Sequence, residues 1–207
     1  MRNSTDEARV LKTYSRFMLN LLTAAPAFVL NSFACLLIAD LCAGLLHWAE
    51  DTWLAPGHNA LLDRWVVEPN IEHHRRPGAI RQGTYWETNG VTIGIAAAIA
   101  AILAACGVHA WEAYLTVFIG SQSNQLHAWA HTSNPPRLVA WLQKVHLFQT
   151  AAEHAVHHRR PYGVRYCTTT NLLNPILDGI RFWRGLEWLV CQFGAKIYRA
   201  TPSRAGY

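Results

Sequence analysis

Eleven histidines stand out in this 207-residue chain, and eight of them fall into four clusters. His127 and His131 are i and i+4, so on a helix they stack on one face, with Asn124 on the same stripe. His154, His157 and His158 form H-x-x-H-H, in which the first shares a helical face with both others. His73 and His74 are adjacent. His47 stands beside two carboxylates, Asp51 one turn further on and Asp40 two turns back. Imidazole is a good ligand for Fe, Zn, Cu and Ni. Eight of them suffice for two metals at about four ligands each, with positions left open for dioxygen or water. There is no His-Glu-x-x-His, which argues against a zincin-type hydrolase, and no Glu-x-x-His repeat of the carboxylate-bridged di-iron bundles. His58 and His109 read as ordinary structural histidines. His146 borders an apolar stripe (Leu138, Trp141, Leu142, Val145, Phe148) and is a candidate extra ligand or a group that orients one, as are Asp51 and Asn124.

The elements that must carry these clusters are set by hydropathy. The apolar fraction is 51% and the charged fraction 15%, well below the ~25% charged residues of a soluble domain. The charges are also clumped: no Lys or Arg falls between Phe17 and Asp63, or between Gln82 and Pro136. This pattern predicts an all-α, integral membrane helical bundle with about three to four transmembrane helices. The net charge of +5 then belongs to a membrane surface, with no nucleic-acid partner. The five cysteines form no CxxC and read as buried thiols.

A single domain over 1–207 is expected, with a polar segment 1–16, a membrane-embedded region 17–132 and a His-rich cap and tail 133–207. The apolar stretch 17–48 crosses once with tilt or twice in short passes. Val91 to Gly107 is a second span, and Glu112 to Thr132 a third. The positive-inside rule puts loop 49–90 and the tail on the cytoplasmic face and the turn 107–111 outside. A basic N-terminus also favours the inside, which requires 17–48 to cross twice. The terminal Ser203–Tyr207 carries no readable targeting signal. Every His cluster falls at or beyond the cytoplasmic end of a span. A metal transporter would hold its ligands near the bilayer midplane, and a bis-His haem carrier leaves at least four histidines unexplained. One short repeat links two clusters: His73-His74-Arg75-Arg76-Pro77 recurs as His157-His158-Arg159-Arg160-Pro161. The four arginines make a cradle for a lipid phosphate.

Five motifs in order make the chain resemble the Kua-type lipid desaturases. These are Gly44-Leu45-Leu46-His47-Trp48-Ala49-Glu50-Asp51-Thr52-Trp53; Glu72-His73-His74 with Pro77; Glu87-Thr88-Asn89-Gly90; Gln125-Leu126-His127-Ala128-Trp129-Ala130-His131-Thr132; and His154-x-x-His157-His158. Tyr166-Cys167-Thr168 and Phe182-Trp183-Arg184 extend the likeness to roughly residues 35–190. The resemblance implies a membrane-bound non-haem enzyme with two iron ions, using O2 and two electrons to place a double bond in a phospholipid chain. The nearer branch makes the vinyl-ether bond of plasmalogens from an ether lipid; a plant branch acts on an acyl chain of phosphatidylglycerol. By motif position the ligands would be His47, His73, His74, His127, His131, His154, His157 and His158. Asn70 stands where the general membrane-desaturase pattern has a histidine, and Asn89 lies in a family motif; both are candidates to support the centre. No other residue is expected to be catalytic. Without a haem-attachment, dinucleotide or Cys-cluster motif, the electrons must come from a separate donor such as cytochrome b5 or a ferredoxin. The membrane would be a bacterial inner membrane or that of the endoplasmic reticulum.

Overall fold

The computed structural model describes residues 4–57 and 59–198. His58, the terminal Ser203–Tyr207 and the first three residues lie outside the described residues. Within them the chain is helical throughout, with no strand. The order is α1 (Ser4–Trp53), α2 (Ala60–Leu62), a π-helical turn (Asp63–Val67), α3 (Glu68–Arg75), a 3-10 turn (Pro77–Arg81) and α4 (Tyr85–Ala105). Then follow α5 (Trp111–Ser121), α6 (Ser123–Ala130), α7 (Arg137–Lys144), α8 (Ala151–His157), α9 (Leu173–Gly179) and α10 (Phe182–Gln192).

Helix α1 runs unbroken for 50 residues, about 75 Å at 1.5 Å per residue. It therefore does not fold back on itself, and of the two alternatives for 17–48 the structure has the single continuous helix rather than two short passes. A hairpin needs a turn, and this stretch offers no turn-forming Gly or Pro pair; Pro26 sits inside the helix without ending it. The polar loop also shrinks, because α1 continues to Trp53 and α4 starts at Tyr85. That start is fixed by a capping box: Thr84 Oγ1 accepts from Glu87 N, and a Glu87 carboxylate oxygen accepts from Thr84 N at 2.7 Å. The third apolar stretch is interrupted at Gln122, between α5 and α6. Side chains compete for its backbone there: Ser121 Oγ donates to Phe118 O at 2.6 Å, and Thr92 Oγ1 donates to Ser121 O at 2.9 Å.

Two helical segments, Leu22–Trp53 and Tyr85–Ala105, are long and apolar enough to cross a membrane. Helix α5 packs against both α1 and α4, while large apolar side chains face outward: Leu22, Phe28, Val29 and Leu30 on α1, Ile95, Ile99 and Ile102 on α4, and Phe118 on α5. The amphipathic stripe of α7 also faces outward, with Leu138 and Trp141 exposed. The buried core lies at the far end of α1, where Trp48, Tyr166, Cys167, Leu177 and Trp183 pack together. Trp48 belongs to this core and Trp53 packs against it, in edge contact at 4.4 Å, whereas Trp86 is exposed. The cysteines differ too: Cys35 and Cys167 are buried, but Cys42 on α1 and Cys106 in the turn after α4 are exposed.

Asp40 fastens the tail to α1. Its fully buried carboxyl accepts from Thr169 N (2.8 Å), Thr170 N (3.2 Å) and Thr170 Oγ1 (2.6 Å). No ligand imidazole is among its partners. Asp40→Ala strands two buried N–H groups and is expected to cost about 3 kcal/mol. The check is the thermal midpoint of the purified protein in detergent, and an unchanged midpoint would refute the clamp.

Candidate metal centre

Four helix ends meet where α1 reaches its C-terminus. Helix α1 supplies His47 and Asp51, α3 supplies His73 and His74 in its last turn, α6 supplies His127 with His131 as its C-cap, and α8 supplies His154 and His157 with His158 as its C-cap. Each cluster sits near the end of its helix, so the last turns of the long α1 and of the short α3, α6 and α8 present imidazoles to one place. The two copies of the His-His-Arg-Arg-Pro repeat face each other: the His73 and His158 rings are 4.6 Å apart, and those of His74 and His157 5.1 Å.

The ligand atoms sort into two groups, each with its members within 4.8 Å of one another: His73, His127, His131, His154 and His158 in one, and His47, Asp51, His74 and His157 in the other. This replaces the even four-and-four division with five imidazoles against three plus a carboxylate. Asp51 lies among its imidazoles, with Oδ1 2.9 Å from His74 Nε2, and Oδ2 3.3 Å from His157 Nε2 and 3.7 Å from His47 Nε2.

The hydrogen bonding fits cation binding. His47 Nδ1 donates to Tyr166 O at 3.1 Å, and His157 Nδ1 donates to Val164 O at 2.9 Å. A carbonyl only accepts, so the proton sits on Nδ1 and the Nε2 lone pair is free to ligate. Both Nε2 atoms are buried and lack a hydrogen-bond partner, as do His73 Nε2, His131 Nε2 and Asp51 Oδ2. His154 Nε2 faces two further Nε2 atoms, His127 at 2.8 Å and His158 at 3.0 Å, and one hydrogen cannot serve both. So many buried, convergent lone pairs are costly by themselves and would be satisfied by metal ions. Burial, reinforced by the surrounding imidazoles, holds His73, His154 and His158 well below the usual histidine range, hence neutral and able to ligate.

The other predicted residues separate clearly. Asn70 donates from Nδ2 to Asp51 Oδ1 at 2.8 Å and so orients the carboxylate. Asn89 and Asn124 lie outside both groups: Asn89 Nδ2 donates to Tyr85 O, and Asn124 Nδ2 donates to Thr88 O, tying α6 to α4. His146 is exposed, with its Nδ1 3.2 Å from Asn171 Nδ2, and is in neither group. His109 is exposed in the turn after α4. Arg75, Arg76, Arg159 and Arg160 are all exposed, and Arg76 pairs with Glu72.

The segment 162–170 carries positioning groups that sequence reasoning missed. Tyr162 and Arg165 adopt left-handed backbone (φ 56 and 61), and between and beside them the carbonyls of Val164 and Tyr166 point at His157 and His47. Arg165 is pinned by Glu153 (2.6 Å) and Asp178 (3.0 Å). Gly44 lets this segment lie on α1: a Cβ there would stand 2.7 Å from Cys167 Sγ and 3.2 Å from its backbone. Burial pushes the Cys167 thiol up, helped by the carboxylates of Asp40 and Asp178, so it packs as a neutral thiol. Backbone acceptors leave no signature in residue type; the traces in the sequence were Gly44 in the first motif and Tyr166-Cys167-Thr168 among the residues that extend the likeness.

A helical protein with two adjoining histidine-rich groups at the end of long apolar helices defines the class. The profile of the lipid desaturase domain matches residues 36–200, and the chain belongs to the lipid desaturase family. The plasmanylethanolamine desaturase of Myxococcus xanthus is 33% identical over 188 residues, covering 82% of this chain and 66% of that protein. Plasmanylethanolamine desaturase 1 of Mus musculus is 34% identical over 179 residues, covering 80% and 65%. The chloroplastic fatty acid desaturase 4-like 1 of Arabidopsis thaliana is 29% identical over 174 residues, covering 81% and 58%. The chain thus spans about two thirds of the length of the first two relatives. No solved structure matches it.

Proposed function

We propose that this chain acts as a single-domain membrane lipid desaturase holding two iron ions, and that it converts the 1-O-alkyl chain of an ether phospholipid to the vinyl ether of a plasmalogen. The observation that carries this reading is the convergence of eight imidazoles and one carboxylate into two adjoining groups in a member of the lipid desaturase family. The ether substrate is supported by the names of the relatives at 33% and 34% identity. In the balanced reaction the alkyl chain gives up two hydrogens. These, with two electrons from a separate donor such as cytochrome b5 or a ferredoxin and two protons taken up from water, reduce O2 to two waters. The iron ions, when bound, supply O2 activation and an oxidant for an unactivated C–H bond, which side chains lack.

The chain's own residues position and enclose. The carbonyls of Tyr166 and Val164 fix the imidazole tautomers, Asn70 turns Asp51, and the aromatic core closes one side against water. His131 and His158 are only half-buried while the group around Asp51 is buried throughout, so access is from the His131 side. The outward apolar faces of α1, α4 and α5 fit lipid contact. In this arrangement α1, α4 and the α5–α6 pair each cross once. Fourteen of the Lys and Arg residues then share a side with the histidines against four before Phe17, which makes the histidine side cytoplasmic.

The test is lipid mass spectrometry of cells expressing the protein and fed a 1-O-alkyl phospholipid. The expected product is two hydrogens lighter and acid-labile. Loss of two hydrogens from an acyl lipid instead would overturn the ether assignment. No change in any lipid despite iron and an electron donor would overturn the desaturase reading.

A further inference from the structure

Beside the histidines, on the far side of α6, lies a half-open cleft of about 330 Å³. Its polar lining is Arg81 from the 3-10 turn, Tyr85 and Thr88 from the first turn of α4, and Gln125, Trp129 and Thr132 from the α6 segment. Resting on the desaturase reading above, we infer that this cleft is the subsite for the phosphodiester of the substrate's head group.

The lining holds one cation and no carboxylate. The ion-paired arginines among the described residues are Arg76, Arg165 and Arg184; Arg81 makes no such pair and is exposed. The Tyr85 and Thr132 hydroxyls are already committed, donating to Gln122 Oε1 and Ala128 O, which leaves the Arg81 guanidinium beside the Thr88 hydroxyl and the Gln125 amide. A guanidinium with no acid to neutralise it selects an anion, and its fork suits two phosphate oxygens. Depth agrees with this. Tyr85 and Thr88 open the apolar helix α4, so the cleft lies at the level where a phospholipid changes from polar to apolar. Its distance from the histidines is set by one helix. Gln125, Ala128, Trp129 and Thr132 form an i, i+3, i+4, i+7 stripe beside the stripe of His127 and His131. A phosphate held there leaves only the glycerol between itself and the first carbons of the sn-1 chain, which are the carbons a vinyl-ether reaction attacks. The exposed Arg75, Arg76, Arg159 and Arg160 line no part of this cleft.

The experiment uses the full-length, iron-loaded protein in detergent, as wild type and as Arg81→Ala, Arg81→Glu and Arg81→Lys. Binding is read as thermal stabilisation by a 1-O-alkyl phosphatidylethanolamine, by the matching alkyl-acyl-glycerol without phosphate, and by inorganic phosphate; KM, kcat and iron content are read in parallel. Wild type is expected to bind the phospholipid and not the phosphate-free lipid. Arg81→Ala and Arg81→Glu are expected to raise Kd and KM by about tenfold or more, with kcat and iron content unchanged and partial recovery in Arg81→Lys. Unchanged Kd and KM in Arg81→Ala overturn the subsite. Displacement of the phospholipid by millimolar inorganic phosphate overturns its assignment to a lipid. If wild type desaturates no lipid yet binds phospholipid through Arg81, the subsite stands and the desaturase reading falls.

Discussion

His154→Ala is expected to lower the proposed desaturation by at least ~100-fold and to empty the five-histidine group of the metal proposed there. No other side chain is as central: His154 is fully buried, and its Nε2 lies 2.8 Å from His127 Nε2 and 3.0 Å from His158 Nε2. Its ring also neighbours those of His47, His73, His131 and His157. Taking it away leaves four imidazoles around a hole the size of the fifth, so the remaining nitrogens no longer converge on a shared point. Elemental analysis should find iron per chain falling from about two towards one or none, while helical circular dichroism stays at the wild-type level. A variant that keeps its full iron and its product would show that this group is a packing feature.

The second large effect is expected from Asp51→Asn, and it is selective. Asp51 is the sole carboxylate in either group, and its oxygens face three Nε2 atoms at 2.9, 3.3 and 3.7 Å. The amide is isosteric, but it removes the anion that offsets buried cationic charge and points an N–H donor where a lone pair is needed. Iron should fall from about two to about one per chain, with the five-histidine group still loaded and desaturation lost. Asn70→Ala, which only frees the carboxylate to turn, should cost about tenfold in activity. If Asp51→Asn retains both metals, Asp51 is a hydrogen-bond acceptor for the imidazoles and not a ligand. Loss of both metals at once would mean that the two groups load as one unit.

These effects trace back unequally to the sequence. The eight histidines, their i, i+3 and i+4 spacings and their place at the ends of apolar stretches were legible, because helical periodicity and hydropathy are properties of short windows. The helical class was legible for the same reason. The even division of ligands was not, since which imidazole meets which depends on how α3, α6 and α8 approach one another. Whether 17–48 forms one helix or two stayed open, because charge favoured a hairpin for which the residues supply no turn. His146 looked like a neighbour of the centre by composition, yet a turn with its backbone at φ 59 carries it outward.

By itself the sequence determined that this is a helical, strongly apolar chain carrying enough imidazole for two metal ions, and that those imidazoles gather at one end of its long helices. Only the tertiary structure decided that Asp51 joins His47, His74 and His157, that the carbonyls of Tyr166 and Val164 set two tautomers, and that a cleft with an unpaired arginine lies one helix away. The physical reason is that a carbonyl, a ring orientation and an empty space are the same for many residue types. They exist only once distant segments such as Gly44 and Cys167 have been brought into contact.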